Sequence, residues 1–154
     1  MNKKKLILEK NIETLRWLAL DIGKKRTGLA VTDVLKIIAS PLGYINTVDL
    51  NAYLQTYFEK ENVEKIIVGY PRQMNNLPSE SVKFIENKVN ELKKIHKNKE
   101  FIYYDERFTS KISFQTMIDG GVKQAKRRNK GLVDQISAVL ILQSYMEYVK
   151  NTEE

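Results

Sequence analysis

Arg16-Trp17-Leu18-Ala19-Leu20-Asp21-Ile22, Gly23-Lys24-Lys25 and Arg26-Thr27-Gly28-Leu29-Ala30-Val31-Thr32, read in succession, decide the fold. Two apolar, strand-like runs, Arg16–Ile22 and Thr27–Thr32, flank a short Gly-containing turn, a pattern that predicts a β-hairpin. Asp21 interrupts the first run. An ionised carboxylate within a buried strand is costly unless a cation or dense hydrogen bonding compensates it. A metal or phosphate site explains that position economically. The plain alternative is a polar strand end facing solvent.

Outward from the hairpin, a third strand is expected over Ile37–Ile45, with Pro41 marking an edge or a bulge. Val48–Asn62 has helical spacing, with Leu50, Leu54, Tyr57 and Phe58 on one face. Lys65–Tyr70 is a short, continuously apolar run that suits a buried parallel strand. Pro71 ends it, and a polar loop follows through Asn75-Asn76. Ser79–His96 predicts a second amphipathic helix carrying Val82, Ile85, Val89, Leu92 and Ile95, with His96 on solvated surface among Lys93, Lys94 and Lys97. Glu100–Tyr104 reads as a strand. Thr109–Asp119 reads as a helix closed by Gly120-Gly121. Gly131–Lys150 is a last helix whose apolar residues nearly encircle it, so deep burial is expected. The order predicts an α/β fold: a mixed five-stranded sheet, partly antiparallel, with helices on both faces. Residues 1–15 form an extension, residues 16–150 a single domain and residues 151–154 a tail.

The 154 residues suffice for one domain with a proper core. There is no cysteine, which excludes disulfides, thiolate nucleophiles and Cys-ligated zinc. No apolar run approaches the roughly 18 residues needed to span a bilayer, and no signal-peptide pattern opens the chain. A cytoplasmic protein is expected. The net charge of +7 suits a polyanionic partner such as nucleic acid, although 20 of the 26 cationic residues are lysine, as a compositional bias alone would give. Clustering says more. Lys123, Lys126, Arg127, Arg128 and Lys130 fall within eight residues free of acids. Such a block is either solvated loop or a clamp on a phosphate backbone.

Ligands of α/β sheets bind beyond the carboxyl ends of the strands, near the point where strand order reverses. Asp21 lies near the end of the first strand, Asp105-Glu106 follows the last, and Asp134 opens the final helix. Each has a plain alternative: Glu106 pairing with Arg107, and Asp134 favouring a helix N-terminus. Three acids around one sheet edge, in a chain without cysteine and with a single histidine, form a hard oxygen donor set suited to Mg²⁺ or Mn²⁺.

Four blocks taken together resemble the YqgF/RuvX family, whose members are described as Holliday-junction-resolvase-like proteins and as pre-16S rRNA nucleases. They are Leu20-Asp21-Ile22-Gly23 through Arg26-Thr27-Gly28 to Thr32-Asp33, then Ile67-Val68-Gly69-Tyr70-Pro71. The third is Asp105-Glu106-Arg107-Phe108-Thr109-Ser110. The last is Val133-Asp134-Gln135-Ile136-Ser137-Ala138 with Leu140-Ile141-Leu142-Gln143. The resemblance spans about Arg16 to Tyr148. It implies a ribonuclease H-like fold, with Asp21, Glu106 and Asp134 as catalytic and metal-holding acids. It also implies a link to 5′-end maturation of 16S rRNA. Three departures stand out. Thr27 replaces the usual aliphatic residue, Asn75-Asn76 stands where a glycine turn is common, and the extension before the first strand is long.

The resemblance thus leads us to expect a nuclease using Mg²⁺ or Mn²⁺, with Asp21 bridging two ions and Glu106 and Asp134 each completing one shell. Phosphate-contact candidates are Lys25, Arg26, Arg107 and the cluster Lys123, Lys126, Arg127, Arg128 and Lys130. Expected partners are structured RNA, branched DNA and ribosomal particles, and the chain is a monomer or a homodimer. A junction resolvase would need two symmetric sites and hence a dimer. Two other classes compete. Actin-like ATPases share the core topology and an Asp-x-Gly turn, but they need two such domains, and no P-loop is present. A nucleic-acid-binding module could keep the fold without catalysis, although it would gain by losing the acids.

Overall fold

The computed structural model describes residues 15–71, 79–105 and 130–152, with side chains of the last segment described from residue 135 onward. The expected helix over Thr109–Asp119, the Asn75-Asn76 loop and most of the extension lie outside these residues. So do Glu106, Arg107 and the segment from Lys123 to Arg128.

The hairpin forms as its pattern demands. Strand β1 (Arg16–Ile22) pairs antiparallel with β2 (Arg26–Thr32), Ala19 opposite Ala30 and Asp21 opposite Gly28. Strand β3 (Ala39–Asn46) is antiparallel to β2 and forms one edge of the sheet. Its register shifts where Leu29 faces Gly43 and Ala30 faces Pro41, leaving Leu42 as the extra residue. Gly43 there has φ +119°, a conformation that residues with a side chain rarely adopt. Pro41 thus marks both an edge strand and a bulge.

A 3₁₀ turn (Thr47–Asp49) leads into helix α1 (Leu50–Lys60), which begins two residues later than its periodicity suggests. Strand β4 (Val63–Tyr70) lies parallel to β1, as its continuous apolar run requires. Helix α2 (Glu80–Ile95) starts at Ser79, whose hydroxyl accepts from the Val82 amide at 3.2 Å. Strand β5 (Glu100–Asp105) is parallel to β4 and one residue longer than expected. Helix α3 (Lys130–Thr152) closes the chain. The strand order is β3-β2-β1-β4-β5, which puts β1 at the centre of a mixed sheet.

Strand alternation divides the core between the two faces. Leu18, Leu20, Ile22, Leu29 and Val31 pack with Leu50 and Leu54 of α1 and Ile85, Val89 and Leu92 of α2. On the other face, Trp17, Ala19, Ala30 and Ile67 meet Ala138, Ile141, Leu142 and Tyr145 of α3. The buried side of α3 is narrower than its composition implies, for Gln143, Glu147, Tyr148 and Lys150 are exposed. Among the described residues no helix is long and apolar enough to cross a membrane.

His96 corrects one expectation. It is buried rather than solvated, its Nε2 lies 3.0 Å from Asn51 Oδ1, and its ring meets Phe58 edge-on. Burial, with the nearby Lys99 ammonium, holds its pKa below the ordinary histidine value. The lysines around it in sequence gave no hint of this, because α2 ends there and the chain turns inward.

Candidate active site

Asp21 belongs to the same alternating set as Trp17 and Ala19, so it points to the α3 face. Its exposure is intermediate, unlike the fully buried Leu18, Ala19 and Leu20 before it. Its cross-strand partner Gly28 has no side chain to oppose it. Arg26, two residues before Gly28 on β2, shares that face. A carboxylate and a guanidinium thus stand on one face at the carboxyl end of the central strand. That is also where strand order reverses, β1 leading to β2 on one side and pairing with β4 on the other.

Helix α3 lies across this face. Tyr145 meets Trp17 edge-on at 5.4 Å, at the amino end of β1. Position 134 lies eleven residues earlier, roughly 16 Å along a helix axis. Trp17 to Asp21 spans about 13 Å of strand. Position 134 lies four residues, one turn, before Ala138 in α3. The side chains of Asp134 and Lys130 lie outside the described residues.

On β5, Ile102 and Tyr104 face α3 while Phe101 packs on the other side. Tyr104 donates to or accepts from Ser144 at 2.7 Å and so ties β5 to α3. Alternation sends Asp105 to the face opposite Asp21. Glu106 comes next in the chain, outside the described residues. Among the described residues no three His, Asp or Glu side chains gather into a metal-binding group, and the described acid of the expected three is Asp21.

The turn between β1 and β2 is held firmly. Gly23 N donates to Arg26 O at 2.9 Å, and a Cβ at position 23 would lie 2.8 Å from that oxygen. Thr47, which sequence reasoning passed over, secures the tip from below. Its amide donates to Lys25 O at 2.9 Å, and its hydroxyl donates to Gly23 O at 2.6 Å. Thr27 Oγ1 lies 2.9 Å from Thr47 Oγ1. Since Thr47 has committed its proton to a carbonyl, Thr27 must be the donor in that pair. The buried Thr27 hydroxyl, a departure from the family pattern, is thereby satisfied. The one available signal for Thr47 was a polar residue between an apolar strand and an apolar helix. Lys24 and Lys25 are both exposed.

Thr32 and Asp33, also within the first motif, serve the other end of the hairpin. Thr32 Oγ1 accepts from Trp17 N at 3.0 Å. Asp33 Oδ1 accepts from the Ile38 and Ile37 amides at 2.8 and 2.7 Å, and these bonds hold its carboxyl below the usual carboxylate range. Asp33 braces a loop and lies far from Asp21.

The mixed sheet, its central carboxylate and the helices on both faces define the ribonuclease H-like class. T. thermophilus RuvC, solved in complex with a Holliday junction substrate, has this fold: TM-score 0.51 at 17% identity, covering 86% of this chain and 96% of that one. The family described as "RuvX: Holliday junction resolvase" matches residues 15–148, and the chain belongs to that family. A protein from Phocaeicola vulgatus is 53% identical over 135 residues, covering 88% of this chain and 97% of that relative. One from Flavobacterium johnsoniae is 50% identical over 131 residues, covering 85% and 95%. Both bear the name "Putative pre-16S rRNA nuclease".

Proposed function

We propose that this chain is a metal-dependent endonuclease of the cytoplasm that hydrolyses phosphodiester bonds in the 5′-end processing of pre-16S rRNA, with residues 16–150 acting as one domain. The observation that carries this is Asp21. It is a carboxylate at the carboxyl end of the central strand, turned toward the α3 face beside Arg26, at the switch point of the sheet. The names of the relatives at about half identity support the substrate.

A carboxylate at that place is a hard oxygen donor that fits Mg²⁺ or Mn²⁺. Asp21, Glu106 and Asp134 would hold the ions, Asp21 from rigid strand and Asp134 from the first turns of α3. When bound, such ions supply Lewis acidity toward the scissile phosphate and its leaving oxygen. Arg26 and Lys25 would hold substrate phosphates on the two sides of the hairpin tip, which Thr47 keeps from moving. Arg107, Lys123, Lys126, Arg127, Arg128 and Lys130 would extend that contact along the backbone. Ribosomal particles carrying unprocessed 16S rRNA are the proposed setting.

The test is incubation of purified protein with end-labelled pre-16S leader RNA and, separately, with a four-way DNA junction, in Mg²⁺, Mn²⁺ or EDTA. Cutting of the RNA that EDTA abolishes is expected. Paired symmetric cuts in the junction would point to a resolvase instead. Binding of both without cleavage by either metal would overturn the nuclease in favour of a binding module.

A further inference from the structure

The hairpin tip separates the Asp21 face from a second feature at the same end of the sheet. A cleft of about 250 Å³ lies between the tip, the 3₁₀ turn and α2. Lys24, Val48, Phe84, Asn87, Lys88 and Glu91 line it, over Thr47. β1 ends and β3 ends at this edge, so Lys24 and Val48 stand on the same rim as Asp21.

Three observations at this cleft have no structural explanation. Val48 is 83% exposed, more than any other large apolar residue described. The Lys88 side chain is only 14% exposed, yet its ion pair with Glu91 spans 3.7 Å, too long for a good hydrogen bond. Lys24 meets Glu80 at 3.4 Å with both groups largely in water, where such a pair adds little. Two lysines loosely held beside an apolar wall are what an unpaired nucleotide needs: cations for its phosphate and a flat surface for its base.

We infer that this cleft is a subsite for one unpaired nucleotide of the substrate strand. Its phosphate lies on Lys24 and Lys88, its base rests against Val48 and Phe84, and the Asn87 amide is within reach of the base edge. The strand passes from the Asp21 face over the hairpin tip, beside Lys25, and into the cleft. A cleft of about 250 Å³ is far too small for a duplex, so the subsite selects substrates that are single-stranded next to the cut. This inference rests on the nuclease function proposed above.

The test is fluorescence anisotropy with the full chain in EDTA, using a labelled single-stranded RNA dodecamer and a duplex of equal length over a salt series. Lys24→Ala with Lys88→Ala should weaken single-strand binding about tenfold or more and lower the salt slope by about 0.7, the share of the one phosphate they hold. Val48→Ser should weaken it about three- to tenfold with the slope unchanged, since apolar contact with the base is not ionic. Glu91→Gln should tighten single-strand binding by removing a competitor for Lys88 while leaving duplex binding within about twofold, a selectivity that the loss of one surface charge alone does not produce. Duplex affinity should stay within about twofold throughout, as should all binding by Lys94→Ala on the exposed side of α2. Lys24 is exposed, so its single substitution tests the cleft even if the Lys88 variant folds poorly. Wild-type-like binding and slope in Lys24→Ala and in the double variant would overturn the subsite while leaving cleavage of leader RNA intact. A wild-type protein that neither binds nor cuts RNA would instead remove the nuclease function and the subsite with it.

Discussion

Thr47 shows how one hydroxyl sets the shape of a site it does not enter. It takes the Gly23 carbonyl as acceptor and the Thr27 hydroxyl as donor, both within the buried base of the hairpin. Thr47→Val keeps the volume but strands both groups, so a loss of about 1–3 kcal/mol is expected in urea unfolding. RNA affinity should fall with it, because Lys25 and Arg26 are placed by the same tip. His96 makes a second residue-level prediction. Its folded pKa lies below the unfolded value, so the unfolded chain binds the proton more readily. The stability it contributes is fully present above about pH 6.5 and is lost as pH falls from there toward the folded pKa. Unfolding midpoints between pH 5 and 8 should show this decline, and His96→Gln should flatten it. Asp21 was legible from sequence because a carboxylate inside an apolar strand violates a rule. Thr47 and His96 were not, because each acts through contacts some 20 to 45 residues away in the chain.

At the scale of elements, small residues let α3 lie close against the sheet. Ala19, Ala30 and Ala138 are fully buried where the helix meets the strands. Ala138→Leu would overpack that contact at a cost of about 1–3 kcal/mol. With Asp134 proposed to hold the metal ions one turn away, cleavage should fall by more than the melting temperature suggests; parallel rate and melting measurements check this. The strands were read well because apolar runs of this length have little alternative in such a chain. Strand ends were read less well: β5 runs on through Asp105, paired with Tyr70, because hydrogen bonding to a neighbour extends a strand past its apolar stretch. The depth of α3 was overestimated, since its apolar circumference says nothing about how many faces find a partner.

For the whole molecule, the strand order β3-β2-β1-β4-β5 turns a sequence pattern into a site. It centres β1 and puts the carboxyl ends of β1, β4 and β5 along one edge. The net charge of +7 then acts as a long-range field for a polyanion. Replacing Lys123, Lys126, Arg127, Arg128 and Lys130 with alanine should weaken RNA binding and reduce its salt slope by up to about 3.5 for a single strand. An unchanged slope would mean that these charges do not contact the RNA backbone. The fold class was legible because hairpin, alternation and helix order leave few topologies. Of the three expected acids, Asp21 is the one the structure describes, and the other two rest on strand ends and motif positions. The most direct measurement is cleavage of pre-16S leader RNA in Mn²⁺ by wild type and Asp21→Asn, with binding measured in parallel. The account predicts that the variant binds within a few-fold of wild type and cuts nothing; cleavage retained by Asp21→Asn would contradict it.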